Sequence, residues 1–544
     1  MDEYRGLGYL VFPTAGGGEE YAFDPARRGV GVIGMRPAPA LPARGDYIDQ
    51  GYDERAYLMD MVPYGRPFDR SQSLIGTASA TWEPRPDDEY LGAASYRGEG
   101  FVESAILIRS TERMIGARWL GPAAPSNIEV FATALLGTTI PCGTGSAGPW
   151  TFSESDRLVG SVAINGATDE LVLHNSSDIG FISHDEAIGE FSCGLRLPHT
   201  TLVSFEPERG IRTFLVSAET HPALTLDFDG DTLGDVLLVN DDSLSVVTRD
   251  LSGVTVVAMS DSGTAGVGVD RVVLDATTRV LAHADVDGDG SDEIIARVAA
   301  GPSGEPGIAV LGFNAAVGGF RLVGNFIANG SPMTGWGTSV EEDVDVVGSL
   351  RLASGSDYSG EGLLVALPSG SFGIWALDLA SGQYRCTHKV ENYIDSRPTR
   401  LTLLNDPLYP APWDPFAAPT DGQEEAPRIV AIGNFDPTGS NEEFVLRTGR
   451  GYMIFTTDSC EPDPDFGTVC GPPQIRLLDW ARFDCNISYE TCHGELFGNW
   501  QVRRSDEIVG RLENRSIVVG GGRTGPDRIL IRSTDEDWER YVDP

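Results

Sequence analysis

The chain is predicted to be an all-β repeat protein, and two observations carry that prediction. The first is an acidic nonapeptide that occurs twice, 58 residues apart: Asp227-Phe-Asp229-Gly-Asp231-Thr-Leu-Gly-Asp235 and Asp285-Val-Asp287-Gly-Asp289-Gly-Ser-Asp-Glu293. The second is a weaker unit that runs along the chain. It is a short strand, often with Gly, then a polar loop, then acidic or small residues leading into an aliphatic run. Self-similarity of this kind marks a repeat architecture. No long stretch shows the 3.6-residue period of an amphipathic helix.

Seven such junctions are visible: Asp88-Glu-Tyr-Leu91, Asp169-Glu-Leu-Val172, Gly234-Asp-Val-Leu237, Asp292-Glu-Ile-Ile295, Glu361-Gly-Leu-Leu364, Glu442-Glu-Phe-Val445 and Asp506-Glu-Ile-Val509. Val159-Gly-Ser, Ile432-Gly-Asn-Phe435 and Leu496-Phe-Gly-Asn-Trp500 stand where the strand before the loop is expected. The junctions lie 58 to 81 residues apart, which fits a unit of about four short strands with loop insertions. Glu443–Arg447 followed by Tyr452–Phe455 reads as one hairpin of such a unit. One four-stranded sheet cannot bury both faces alone; seven arranged about an axis bury the faces of all. The prediction is therefore a seven-bladed β-propeller with four-stranded blades over residues 67–544. Residues 1–66 form a short N-terminal extension, with Met35–Pro42 as an extended linker.

Within each nonapeptide, carboxylates stand at positions 1, 3, 5 and 9. Two unpaired charges about 4 Å apart repel by roughly 4 kcal/mol at an effective dielectric near 20. A hard cation that takes six to eight oxygens reverses that sign, and Ca²⁺ is the usual one. An EF-hand would need an acid at position 12, where this chain has Leu238 and Ala296.

The loop, set between a strand ending in a small residue and a strand beginning aliphatic, resembles FG-GAP (VCBS-type) repeats. These form the blades of the integrin alpha-subunit propeller and of many bacterial repeat proteins. The motif is full in two repeats and partial at Asn434, Asp436, Thr438 and Glu442 or Glu443. It is eroded in four, including the one that keeps Asp357 and Glu361. The resemblance implies Ca²⁺ ligands from the side chains of Asp227, Asp229, Asp231 and Asp235 with the carbonyl of Leu233. In the second loop it implies Asp285, Asp287, Asp289 and Glu293 with the carbonyl of Ser291.

Composition excludes some functions. With 80 acidic and 40 basic residues the formal charge is −40, the wrong sign for nucleic acid or an anionic membrane surface. Lys389 is the only lysine, and an acid excess of this kind suits a surface that stays soluble in salt. Four of the seven cysteines, Cys460, Cys470, Cys485 and Cys492, have spacings that suit two local disulfides. Cys142, Cys193 and Cys386 remain, and disulfides would imply an oxidising compartment. Met1-Asp2-Glu3 opens no apolar leader, and no run is long enough for a membrane helix.

No Gly-x-Ser-x-Gly elbow, P-loop or His-Glu-x-x-His is present, and the seven histidines form no i, i+4 pair. Arg44-Gly45-Asp46 matches an adhesion tripeptide of a kind that arises by chance. Tyr409, Trp413 and Phe416 are candidates for a recognition patch. The leading expectation is a non-enzymatic, secreted or surface-exposed module that recognises a protein or glycan, in keeping with the integrin resemblance. The alternatives are a Ca²⁺-dependent polysaccharide lyase and a structural subunit that docks a partner through its N-terminal extension. A convergent acid/base pair with Arg in a central cleft would favour the lyase.

Overall fold

The computed structural model describes residues 29–35 and 56–63, most of 82–390 and segments of 428–533, with two short strands at Tyr9–Pro13 and Glu19–Phe23. Among the described residues there is no α-helix, only one 3₁₀ turn at Gly268–Asp270. The fold is a β-propeller of antiparallel meanders, mostly four-stranded; the first two are joined by one parallel pair into an eight-stranded sheet, and the fourth carries a fifth strand. Their first strands are Glu89–Gly98, Arg157–Ala163, His221–Leu226, Arg279–Ala284, Asp345–Arg351, Arg428–Gly433 and Glu507–Leu512. Each packs beside the next, and the last packs beside the first.

The burial pattern follows from that arrangement. Second strands are sandwiched between neighbouring sheets, so they read as continuous apolar runs. In Asp235–Asn240, Val236 and Leu238 pack toward the preceding meander while Leu237 and Val239 pack toward the following one. Ile294 and Ile295 divide in the same way. Each such side chain contributes about 1.5–3 kcal/mol by leaving water. First strands are only half buried, as at Arg279–Ala284.

Every first strand also slips by one residue against its second strand. The slips fall at Tyr90/Gly92, Leu158/Gly160, Pro222/Leu224, Val280/Ala282, Val346/Gly348, Ile429/Ala431 and Ile508/Gly510. A bulge of this kind bends a strand and sharpens its twist. Gly348 sits at φ 158, and the Ile432 Cδ1 of the next meander lies 2.4 Å from where a Cβ would stand, so the two first strands approach closely there.

Several expectations are corrected by the topology. The junctions at Asp88 and Asp506 precede first strands, whereas the other five precede second strands. An acid before an aliphatic run is also how a turn into a first strand is closed: Asp88 accepts from Trp82 Nε1 and Arg85 N, both at 2.9 Å. Leu496–Phe497 pairs with Trp500–Gln501 in a separate hairpin and opens no meander. The N-terminal segment is not set apart from the blades. Gly29–Met35 pairs with both Ala56–Pro63 and Arg528–Arg532, so residues from the two chain regions share one sheet. Met35 thus ends a strand, and Arg36–Pro42 lie outside the described residues. Tyr9–Pro13 pairs with Glu19–Phe23. The hairpin expected at Glu443–Phe455 is present, as Glu443–Thr448 against Gly451–Thr456.

Among the described residues one disulfide is present, Cys142–Cys193, 51 residues apart in sequence. It joins the segment after the first meander to the fourth strand of the second, where Thr133 and Glu190 also pair in parallel. Cys386 is buried, and its thiol donates to the His388 carbonyl. Cys460 and Cys470 face each other across a hairpin, while Cys485 and Cys492 lie outside the described residues.

Candidate metal centre

Each acidic nonapeptide connects a first strand to a second strand. In the first loop, single oxygens of Asp227, Asp229 and Asp235 lie within 4.8 Å of one another. The loop holds its own shape through its acids. Thr232 N donates to Asp227 Oδ2 at 3.0 Å, Asp231 N to Asp229 Oδ1 at 3.2 Å and Leu233 N to Asp231 Oδ1 at 2.8 Å. Thr232 is the non-glycine residue with positive φ among the described residues, at 67°. The tight turn is therefore bent against the preference of its own side chain.

Asp235 is fully buried. Its Oδ2 accepts from Phe228 N at 3.0 Å, while Oδ1, like Asp227 Oδ1, makes no hydrogen bond. Burial, with the Asp229 and Asp231 charges behind it, pushes Asp235 up to about 8. Burial likewise raises Asp227 to about 6. Asp231 is more exposed and does not join the trio.

The second loop repeats the design with one change. Here Asp285, Asp287 and Asp289 converge within 4.8 Å. Gly290 N donates to Asp285 Oδ2 at 3.1 Å and Ser291 N to Asp289 Oδ1 at 2.9 Å. Glu293 is 1% exposed, accepts from Val286 N at 2.9 Å and is pushed by burial up to about 8. Asp285 Oδ1 makes no hydrogen bond. Arg321 stands close, with Nη2 3.2 Å from Asp287 and 3.6 Å from Asp289.

A buried carboxylate oxygen without a partner is costly. Three converging carboxylates on an oxygen-rich loop match the donor set of a hard divalent cation. The residues therefore fit Ca²⁺. In both loops the acid at the start of the second strand is buried and reaches back to the N–H at position 2.

The partial motif keeps that hook. Glu443 Oε2 accepts from Phe435 N at 2.7 Å and Asp436 N at 2.9 Å, and burial pushes Glu443 up to about 8. Thr438 lies outside the described residues, as do Asp357, the Arg44–Asp46 tripeptide, Tyr409, Trp413 and Phe416.

Two features were missed by spacing arguments. Asp292 N donates to the Asp227 carbonyl at 2.6 Å, and Asp227 N donates to Asp292 Oδ2 at 3.0 Å. Comparable ties join Glu361 N to the Asp285 carbonyl at 2.7 Å and Asp527 to Asn434. Each runs from the residue at or just before a second strand to the loop of the preceding meander. The repeated acids at the junctions were the available signal.

At the opposite ends of the first strands, arginines do the holding. Arg109 donates to the Asp156 carbonyl, Arg447 to that of Asp506 and Arg532 to that of Asp88. Near the last two lies a cavity of about 290 Å³ whose lining includes Arg428, Arg447, Arg532, Glu507, Tyr90 and Tyr452. Burial pushes the Tyr452 phenol up to about 12, and its hydroxyl donates to the Asp506 carbonyl at 2.8 Å.

No family model matches the chain, and no curated protein matches it. Among solved structures it is similar to a candidate 6-phosphogluconolactonase of Bacteroides uniformis, at 10% identity, 67% of this chain, 97% of that one and a TM-score of 0.28. It is similar to the periplasmic gluconolactonase of Pseudomonas aeruginosa, at 11% identity, 82% and 99% coverage and a TM-score of 0.29. It is also similar to Sqt1 of Saccharomyces cerevisiae, at 8% identity, 82% and 97% coverage and a TM-score of 0.33. These findings correct the expectation of a non-enzymatic recognition or adhesion module: two of the three are described as lactonases, and that expectation is withdrawn. Similarity at this level carries no reaction over to this chain. Among the described residues no helix is long and apolar enough to cross a membrane.

Proposed function

We propose that the chain is a seven-bladed propeller of the FG-GAP type whose two acidic loops bind Ca²⁺. Seven first strands in mutual contact, each with the same one-residue slip, support the blade number. The metal reading rests on Asp235, a fully buried carboxylate that converges with Asp227 and Asp229 and whose Oδ1 makes no hydrogen bond. The proposed ligands are Asp227, Asp229, Asp231, Asp235 and the Leu233 carbonyl, then Asp285, Asp287, Asp289, Glu293 and the Ser291 carbonyl. Bound there, Ca²⁺ supplies positive charge that lets the buried acids ionise and ties a loop to the start of a second strand. The Cys142–Cys193 disulfide supports an oxidising compartment, outside the cell or at its surface. Isothermal calorimetry with Ca²⁺ tests the reading. Wild type should bind two ions, and the Asp229→Ala/Asp287→Ala double variant none; absence of binding to wild type would sink it.

A second reading, an enzyme acting on an anionic glycan, is favoured by the cavity with three arginines, a glutamate and two tyrosines. Arginine is the side chain suited to carboxylate recognition. Lyase chemistry on a uronate oligosaccharide would produce an unsaturated chromophore. Its growth with wild type and loss with Arg428→Ala would support this reading, and a flat trace would remove it.

A further inference from the structure

We propose that the two loops fill cooperatively, because the second loop braces the first; this deepens the two-site reading and rests on it. Two contacts carry the inference. Asp292, between Ser291 and Glu293 of the second loop, is bonded both ways to Asp227, the first residue of the other loop, at 2.6 and 3.0 Å. The loop tips also touch: a Cβ on Gly230 would stand 2.7 Å from Ser291 Oγ.

Asp227 contributes an oxygen to one acid trio, and Glu293 is the buried acid of the other loop. An ion held by Glu293 and the Ser291 carbonyl would fix the backbone at 291–293. Asp292 N and its carboxylate then sit where they orient both the N–H and the carbonyl of Asp227. Asp292 is itself fixed by His283, whose Nδ1 lies 3.1 Å from Asp292 Oδ2. The orphan oxygen of the fully buried Asp235 gives the first loop its own pull on a cation. The two loops are therefore neither merged into one site nor independent. Ordering either one lowers the cost of ordering the other, which is positive coupling, and coupling of affinities is reciprocal.

The bracing has a direction along the chain. The second loop's own first residue, Asp285, is tied to Glu361 N at 2.7 Å. Glu361 belongs to a repeat without acids at positions 1, 3 and 5, so the chain of coupled sites stops there.

The test is a set of Ca²⁺ titrations by calorimetry on the full chain. Wild type should bind two ions with a Hill coefficient above one. Asp287→Ala, which disables the second site, should weaken the remaining site about fivefold or more, and Asp229→Ala should weaken the second site by the same factor. Asp292→Ala should keep two sites and lose the cooperativity. If that variant fails to fold, the reciprocal pair still decides. Two independent sites in wild type, with single variants unaffected at the other site, would overturn the coupling and leave the metal reading standing. No Ca²⁺ binding at all would overturn both.

Discussion

The nonapeptide loops and the segment from Asn434 to Glu443 occupy the same place in three blades, yet they balance charge differently. All three carry a buried acid at the second strand that accepts a backbone N–H from position 2 of the loop. All three are tied to the next meander through a backbone carbonyl, at Asp227, Asp285 and Asn434. Among the described residues, only the first two converge three carboxylates. The shared hook is common to all three loops; the extra acids are what the proposed cation would require. In the third, the buried Glu443 also accepts from Asp436 N and from the Thr456 hydroxyl.

That difference is open to attack. The largest effect should come from metal removal. Filling a site at about 100 times its Kd contributes about 2.7 kcal/mol, so two sites supply about 5 kcal/mol that a chelator should abolish. Urea unfolding with Ca²⁺ and with EGTA measures it. A Ca²⁺ effect that survives in Asp229→Ala/Asp287→Ala would place the ion elsewhere.

Next comes the disulfide, which closes a 51-residue separation between the first two meanders. Cys142→Ser/Cys193→Ser should lose about 4 kcal/mol of stability, equally with and without Ca²⁺. A loss that appears only in EGTA would mean the metal sites and this bridge hold the same region.

Arg532 is a smaller case. Its guanidinium holds the Asp88 carbonyl and pairs with Glu507 at 2.8 Å, joining the last meander to the first. Arg532→Gln should cost about 2 kcal/mol in the same unfolding assay, again independent of Ca²⁺. No change would mean that the ring is held by strand packing alone.

The last effect concerns pH. Burial raises Glu443 from 4.5 to about 8 in the folded chain, so the folded state holds that proton more tightly. Its contribution is full at low pH and is lost as pH rises from about 4.5 through about 8. Glu443→Gln, a neutral mimic, should flatten this part of the stability profile. A profile that keeps its slope would assign it to other acids.

Much of this was legible in the sequence, for physical reasons. The alternating acids at 1, 3 and 5 picked out the two loops that converge carboxylates, and the aliphatic runs at Val236–Val239 and Ile294–Ile295 announce strands buried on both faces. The partners of those strands were less legible. Asp88 and Asp506 mimic second-strand junctions because a turn into a first strand needs the same kind of acid. The pairing of Gly29–Met35 with Arg528–Arg532 spans nearly the whole chain, and nothing local in either segment specifies it. Arg321 reaches the second loop through folding alone.

Hydrogen exchange read by mass spectrometry, with Ca²⁺ against EGTA, tests the central claim most directly. Protection should fall on chelation across residues 227–240 and 285–298 and stay unchanged across 443–456. Equal loss in all three regions, or none in the first two, would contradict the account.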